Sequence, residues 1–206
     1  MTNHTFLYSI NMRYIIILIL FLSGCSNLPK AENIYINIDN SYIKLSNDFY
    51  TYDSKELLSA QGIKDVDPDA VKVIGFVNKT DNINFVLNSS NNLMGLLSKN
   101  IISKDVPKEN DINVIYSNLS ELLKTGDAKI VDKIVNETTD NQIIQRAVLD
   151  IFDSNNQPLR ILQKTITDIK RENIYVLILG CNPQCFSEND KVISQIENTW
   201  KVELNE

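Results

Sequence analysis

Histidine is almost missing from this chain: 206 residues hold one, His4. Glycine is nearly as sparse. Six are scattered as single residues, so there is no GxxxxGK[ST] phosphate loop and no GxGxxG dinucleotide turn. Apolar runs of spanning length are absent too. The longest, Ile15 to Leu22, falls well short of the roughly 20 residues that cross a bilayer as a helix. No internal repeat or low-complexity tract interrupts the chain. Acids outnumber bases, 26 to 20, giving a formal charge of −6. Such a surface repels nucleic acid and anionic lipid head groups.

The amino terminus is what the chain does have. Met12-Arg13-Tyr14 precedes the apolar run Ile15 to Leu22, which ends in Leu22-Ser23-Gly24-Cys25. A basic residue, a short apolar stretch and small residues form the layout of a secretory signal, with Met1 or Met12 as the start. The closing tetrad resembles the lipobox of bacterial lipoproteins. That resemblance implies thioether lipidation of Cys25, cleavage after Gly24 and acylation of the new amino terminus with palmitate-type chains. More than one acyl chain is needed for stable anchoring, and a triacylated cysteine meets that need. Residues 1–24 are then a discarded leader, 25–32 a tether (Ser26-Asn27-Leu28-Pro29-Lys30-Ala31-Glu32 after the cysteine), and 33–206 the domain. The anchored chain is 182 residues long, enough for one domain with a real core. Its charge becomes −7, because the leader carries Arg13 and no acid. Cleavage also discards His4. Ser-His-Asp and Cys-His nucleophiles, histidine general bases and histidine metal sites all go with it. Ser26, rather than Asp, after the cysteine points to the outer membrane if the host is Gram-negative.

Periodicity predicts strands at Asn33 to Asp39 and Tyr42 to Ser46, then a short helix from Asp53 to Gln61, capped by Asp53 or Ser54 and ended by Gly62. Strands follow at Val71 to Val77 and Ile83 to Leu87, joined by Asn78-Lys79-Thr80-Asp81-Asn82. Leu93 to Ile102 fits either helix or strand. Asp111 to Lys124 carries an apolar stripe of Ile112, Ile115, Leu119, Leu122 and Leu123 and predicts a helix, with Gly126 past its end. Lys129 to Asn136, Gln142 to Phe152, Leu159 to Ile169 and Asn173 to Leu179 predict a four-strand antiparallel meander, linked by Glu137-Thr138-Thr139-Asp140, Asp153-Ser154-Asn155-Asn156 and Lys170-Arg171-Glu172. Ser187-Glu188-Asn189-Asp190 reads as a capping box opening a helix with Val192, Ile193 and Ile196. Trp200, Val202 and Leu204 alternate as in a last strand. The sum is an α+β sandwich: an antiparallel meander packed with two or three helices.

This order resembles the PsbP-like family, which includes the extrinsic photosystem II subunit and DcrB-like bacterial lipoproteins. The resemblance covers most of Ile43 to Leu204. It lies chiefly in the Ile112–Leu123 helix leading into Ala128-Lys129-Ile130-Val131, the strand pair around Asn155-Asn156-Gln157-Pro158-Leu159, Ile174-Tyr175-Val176-Leu177, and the helix ending in Asn198-Thr199-Trp200-Lys201-Val202. Members often carry a Pro-Gly-Trp-like turn after the first strand; here Ser46-Asn47-Asp48-Phe49 stands there. Ser89 to Pro107 matches the family poorly. The resemblance implies a non-catalytic binding or assembly role and transfers no functional residues and no cofactor.

Three sets of residues are candidate sites. Cys181 and Cys185 remain as an even pair once Cys25 is lipidated, and beyond the membrane they would meet oxidants. A disulfide pinning the turn between the last meander strand and the final helix is the structural reading. Two free thiols, or a redox or metal pair lacking the CxxC spacing, are the alternatives. Asp65-Val66-Asp67-Pro68-Asp69 mimics the start of a calcium loop, but Ala70 and Phe76 hold the places of its Gly and Glu, so a solvated turn is expected and no metal site is assigned. Tyr35, Tyr42, Phe49, Tyr50 and Tyr52 are core or cross-strand aromatics, or else line a groove. Trp200 is expected to anchor the terminal strand. No catalytic residue is assigned.

The functional expectation is a membrane-anchored, non-enzymatic binding or assembly-assisting module of the cell envelope, with an envelope protein as partner and no nucleic acid. The alternative is a carboxylate-only envelope hydrolase acting on glycans, which requires two carboxyl groups facing each other across a cleft, about 5–5.5 Å or about 6.5–9.5 Å apart. A third reading is a stress- or toxicity-related lipoprotein with a purely structural role.

Overall fold

The computed structural model describes residues 33–60, 72–78, 91–101, 123–152, 156–170 and 172–204. Alternation of buried and exposed residues makes β1 (Asn33–Ile38) and β2 (Ser41–Ser46) a hairpin. The chain reverses in the two residues Asp39-Asn40, where Asp39 takes a positive φ of 50°, a conformation Asp tolerates better than most residues. After Asn47-Asp48 the chain changes sheets and enters β3 (Phe49–Tyr52), then helix α1 (Ser54–Ala60) and β4 (Lys72–Asn78). A reciprocal capping box starts α1. The Glu56 amide donates to Asp53 Oδ1 at 2.8 Å, and the Asp53 amide donates to Glu56 Oε2 at 3.0 Å. Asp53 is thus the cap, while the Ser54 hydroxyl donates to the Val73 carbonyl at 3.0 Å and ties α1 to β4.

β5 (Met94–Ile101) resolves the ambiguous apolar segment as a strand. Its glycine has a packing reason. Gly95 lies directly across from Phe76, and a Cβ there would run into the Phe76 ring. Residues 123–125 are helical and end at Gly126, whose φ is +85°. The meander follows as β6 (Ala128–Thr138), β7 (Gln142–Phe152), β8 (Pro158–Asp168) and β9 (Asn173–Cys181). The first link of the meander shrinks to residues 139–141, because β6 runs on through Glu137 and Thr138.

The carboxy-terminal end departs from expectation. Ser187 does not cap a helix; it lies inside α2 (Pro183–Glu188). Asn182 is the cap, its Oδ1 accepting the Cys185 amide at 2.9 Å, and Pro183 fills the first helical position, where no amide donor is needed. A break at Asn189 separates α2 from α3 (Asp190–Thr199), and β10 (Lys201–Val202) closes the chain.

The strands form two sheets. Seven are ordered β3-β4-β5-β9-β8-β7-β6, all antiparallel; three are ordered β1-β2-β10. The meander is therefore the larger part of a wider sheet, extended when β5 pairs with β9. The small sheet and the helices α2 and α3 cover one face of the large sheet, here the first face. Ile36, Ile43 and Leu45 from one side meet Phe76, Leu97, Leu177 and Leu179 from the other, with Phe186, Ile193, Ile196 and Trp200 closing the side. Trp200 does anchor the end of the chain: its indole N–H donates to the Ser41 hydroxyl at 2.8 Å, fully buried. The second face carries two further apolar clusters, Ala128, Ala147, Leu149 and Ile161 with Leu123, and Leu57, Val77 and Met94. β9 is apolar almost throughout because both of its faces are covered.

Candidate functional site

Charged residues intrude on the first face where β7 and β8 pass beneath α2 and α3. In β7, Arg146 and Asp150 share the phase of Val148; in β8, Arg160 and Lys164 share the phase of Leu162. Asp150 and Arg160 are direct cross-strand partners and form a two-pronged ion pair, Nε to Oδ1 at 2.7 Å and Nη2 to Oδ2 at 2.9 Å. Arg146 and Lys164 are also directly opposite, which sets two cations face to face. Glu197, in the last turn of α3, stands between them. Its Oε1 accepts from Arg146 Nε at 2.8 Å and lies 3.7 Å from Lys164 Nζ. Irregularities in β6 bring Asp132 to the same guanidinium, 3.2 Å from Nη1. Lys164 also rests near the Trp200 ring, 5.9 Å from its centroid.

Of these groups Asp132, Arg146, Arg160 and Glu197 line a cleft of about 430 Å³ between β6–β8 and the two helices, with Val148 and Leu162 as apolar floor and Phe186, Ser187, Asp190 and Ser194 along the helical wall. Partial burial disfavours the Arg146 charge, but its hydrogen bonds to Glu197 and then Asp132 outweigh it and hold the guanidinium more firmly protonated. For Arg160 the hydrogen bonds to Asp150 dominate and act the same way. A guanidinium has five N–H donors in a planar fork. Among the described residues each arginine spends two groups on internal carboxylates, and its fork has further donors suited to a carbonyl or carboxylate from outside. The chemistry suited to such a cleft is polar recognition. Asp132, Asp150 and Glu197 are each already engaged by a cation.

The sequence singled out none of Asp132, Arg146, Asp150, Arg160, Lys164 and Glu197, although a signal existed: charges at 146, 150, 160 and 164 keep step with the core residues of their strands. The residues it did single out are dispersed. Cys181 and Cys185 come together at disulfide distance, with Cα atoms 5.9 Å apart and both side chains buried, joining the end of β9 to α2. The aromatic set does not form a groove. Phe49 is in the core, edge-on to Phe76 at 5.8 Å. Tyr50 and Tyr52 belong to the β3 edge, and Tyr35 and Tyr42 to the small sheet. Their nearness in sequence spans a change of sheet. Cys25 and the Asp65–Asp69 stretch lie outside the described residues, as do the expected Ile83–Leu87 strand and most of the Asp111–Lys124 helix.

No protein-family model matches the chain, and no curated protein sequence matches it. Solved structures do. Cyanobacterial PsbP (CyanoP) from Synechocystis sp. PCC 6803 superposes with a TM-score of 0.54 at 13% identity, covering 87% of this chain and 97% of its own. A Pseudomonas aeruginosa protein of unknown function, PA94, gives 0.49 at 9% identity, over 85% of this chain and 100% of its own. LpqN, involved in cell envelope biogenesis of Mycobacterium tuberculosis, gives 0.48 at 12% identity, over 84% and 91%. At these identities the likeness is one of fold: the chain carries a PsbP-like α+β architecture, an antiparallel meander sheet covered on one face by a smaller sheet and the carboxy-terminal helices.

Proposed function

We propose that this protein is a bacterial lipoprotein, anchored through lipid on Cys25, whose sandwich serves as a non-enzymatic binding or assembly-assisting module at the cell envelope. The anchor rests on the leader and on Leu22-Ser23-Gly24-Cys25. The binding role rests on the cleft beneath α2 and α3, which offers arginine donors over an apolar floor while Asp132 and Glu197 are tied up by cations. A glycan hydrolase built on carboxylates alone needs one acid free to deliver a proton and a second free to receive charge. Asp150 and Glu197, held by Arg160 and by Arg146 with Lys164, are poorly suited to either part. The same role has Cys181 and Cys185 as a structural disulfide that holds α2, one wall of the cleft, against β9.

A photo-crosslinking residue at exposed Ser194 tests the site in intact cells. The expected result is a discrete adduct with an envelope protein that the same probe at Tyr50, on the far edge of the large sheet, does not give. Identical patterns from both positions, or turnover of peptidoglycan fragments that Asp150→Asn abolishes, would contradict it.

A further inference from the structure

The outer face of the three-stranded sheet stands apart from the rest of this acidic molecule. Strand register puts four side chains together there. Tyr35 of β1 pairs directly with Lys44 of β2, and Tyr42 of β2 pairs directly with Lys201 of β10. Inward residues of the same strands, Ile36, Ile43 and Leu45, are buried, so these four point away from the core. Tyr35 is 70% exposed, the most exposed large side chain of apolar character in the described residues. Among those residues neither Lys44 nor Lys201 has a carboxylate within salt-bridge distance. The acids at this face are Glu203, which accepts the Tyr42 hydroxyl at 3.3 Å, and Asp48, which accepts the Ser46 hydroxyl at 3.3 Å past the end of β2. Two lysines against two acids make this face far less acidic than a chain whose anchored form totals −7.

We propose that this face lies on the phospholipid head groups of the membrane that holds Cys25. The inference rests on the anchor proposed above. Chain length supports it. The tether enters the domain at Asn33, the first residue of β1, eight residue steps from Cys25. Fully extended, that reaches at most about 28 Å at ~3.5 Å per residue, which bounds how far Asn33, where β1 begins, can stand from the lipid. Chemistry supports it as well. Tyrosine places its ring at the boundary between acyl chains and water with its hydroxyl outward, and lysine extends its stem to reach a phosphate. A charge influences a surface within about 8 Å at physiological salt. The lysines therefore act only in the orientation that turns them to the lipid and turns the acidic remainder away. Tethering makes that weak preference sufficient, because encounter is already intramolecular and only orientation remains to be chosen. Since the small sheet covers the first face of the large one, this pose directs the second face of the large sheet away from the bilayer.

The test uses the full lipidated chain, purified from membranes and reconstituted into phosphatidylethanolamine–phosphatidylglycerol vesicles. Tyr35→Trp reports on the face. Ile169→Trp, at a 48% exposed position after β8, is the comparison, and the parent chain supplies the signal of buried Trp200 for subtraction. The expected result is that acrylamide quenches Tyr35→Trp at least two-fold less than Ile169→Trp, while brominated acyl chains quench Tyr35→Trp alone. Lys44→Glu combined with Lys201→Glu should restore acrylamide access without loss of vesicle flotation. Equal quenching at both positions in protein that floats with the vesicles would overturn the docked face and leave the anchor standing. Failure to float would overturn both.

Discussion

Glu197 separates two like charges that strand pairing forces together. Its side chain is 13% exposed, against 28% for Arg146 and 20% for Lys164, so water relieves little of the repulsion if the carboxylate is lost. Glu197→Gln should therefore cost about 1–3 kcal/mol, more than an ordinary surface pair, measured by urea unfolding. Adding Lys164→Met should recover part of that loss, since one of the opposed cations is gone; strict additivity of the two changes would contradict the arrangement. Asp39 offers a pH test. Its carboxyl is held below the ordinary 3.8 by hydrogen bonds first from Lys72 and then from Lys99, across from the small sheet to the large one. A depressed pKa stabilises the fold above its unfolded value and is lost as pH falls through the folded value. Lys99 is raised above 10.5, chiefly by the same hydrogen bond, so its share is present below that pH and lost only above it. Asp39→Asn should thus lower stability at neutral pH by up to about 1 kcal/mol, the ceiling for so exposed a pair, and the gap from the parent should close as pH falls below the ordinary carboxylate range.

Among the elements, β5 shows how one residue decides a segment. Gly95 leaves room for the Phe76 ring on the first face. Gly95→Ala should destabilise by about 1–3 kcal/mol through overpacking, readable as a lower melting temperature, with Phe76→Leu partly rescuing it. The cysteine pair closes a five-residue ring. Chain-entropy reasoning gives its disulfide about 2 kcal/mol, so Cys185→Ser should lower stability by that order, and two free thiols counted in denaturant in the exported protein would exclude the bond. The meander is legible in the sequence because its strands are long, alternate cleanly and are joined by short polar turns. β3 is not, because Phe49–Tyr52 has four residues and no alternation to read. The Ser187 cap fails for another reason. Asn182-Pro183 supplies a better start earlier in the chain, and the helix then breaks at Asn189.

At the scale of the whole molecule the sequence pattern conveys layers but not partners. That one face of the meander is covered follows from its apolar phase. That the cover is a second sheet of β1, β2 and β10 requires a pairing between the two ends of the chain, Ser41 with Val202, which no local pattern announces. The cleft is hidden likewise: Glu197 and Arg146 are 51 residues apart, and only the packing of α3 over β7 joins them. Address and fold meet at Asn33, where the proposed tether becomes the edge strand of the covering sheet. Everything proposed about function begins with the lipid on Cys25. Mass spectrometry of the amino-terminal peptide from membrane-extracted protein measures that directly. The expected chain begins at Cys25 and carries a thioether-linked diacylglycerol, absent in Cys25→Ala. An unmodified Cys25 thiol in a chain that still begins at Met1 or Met12 would contradict it.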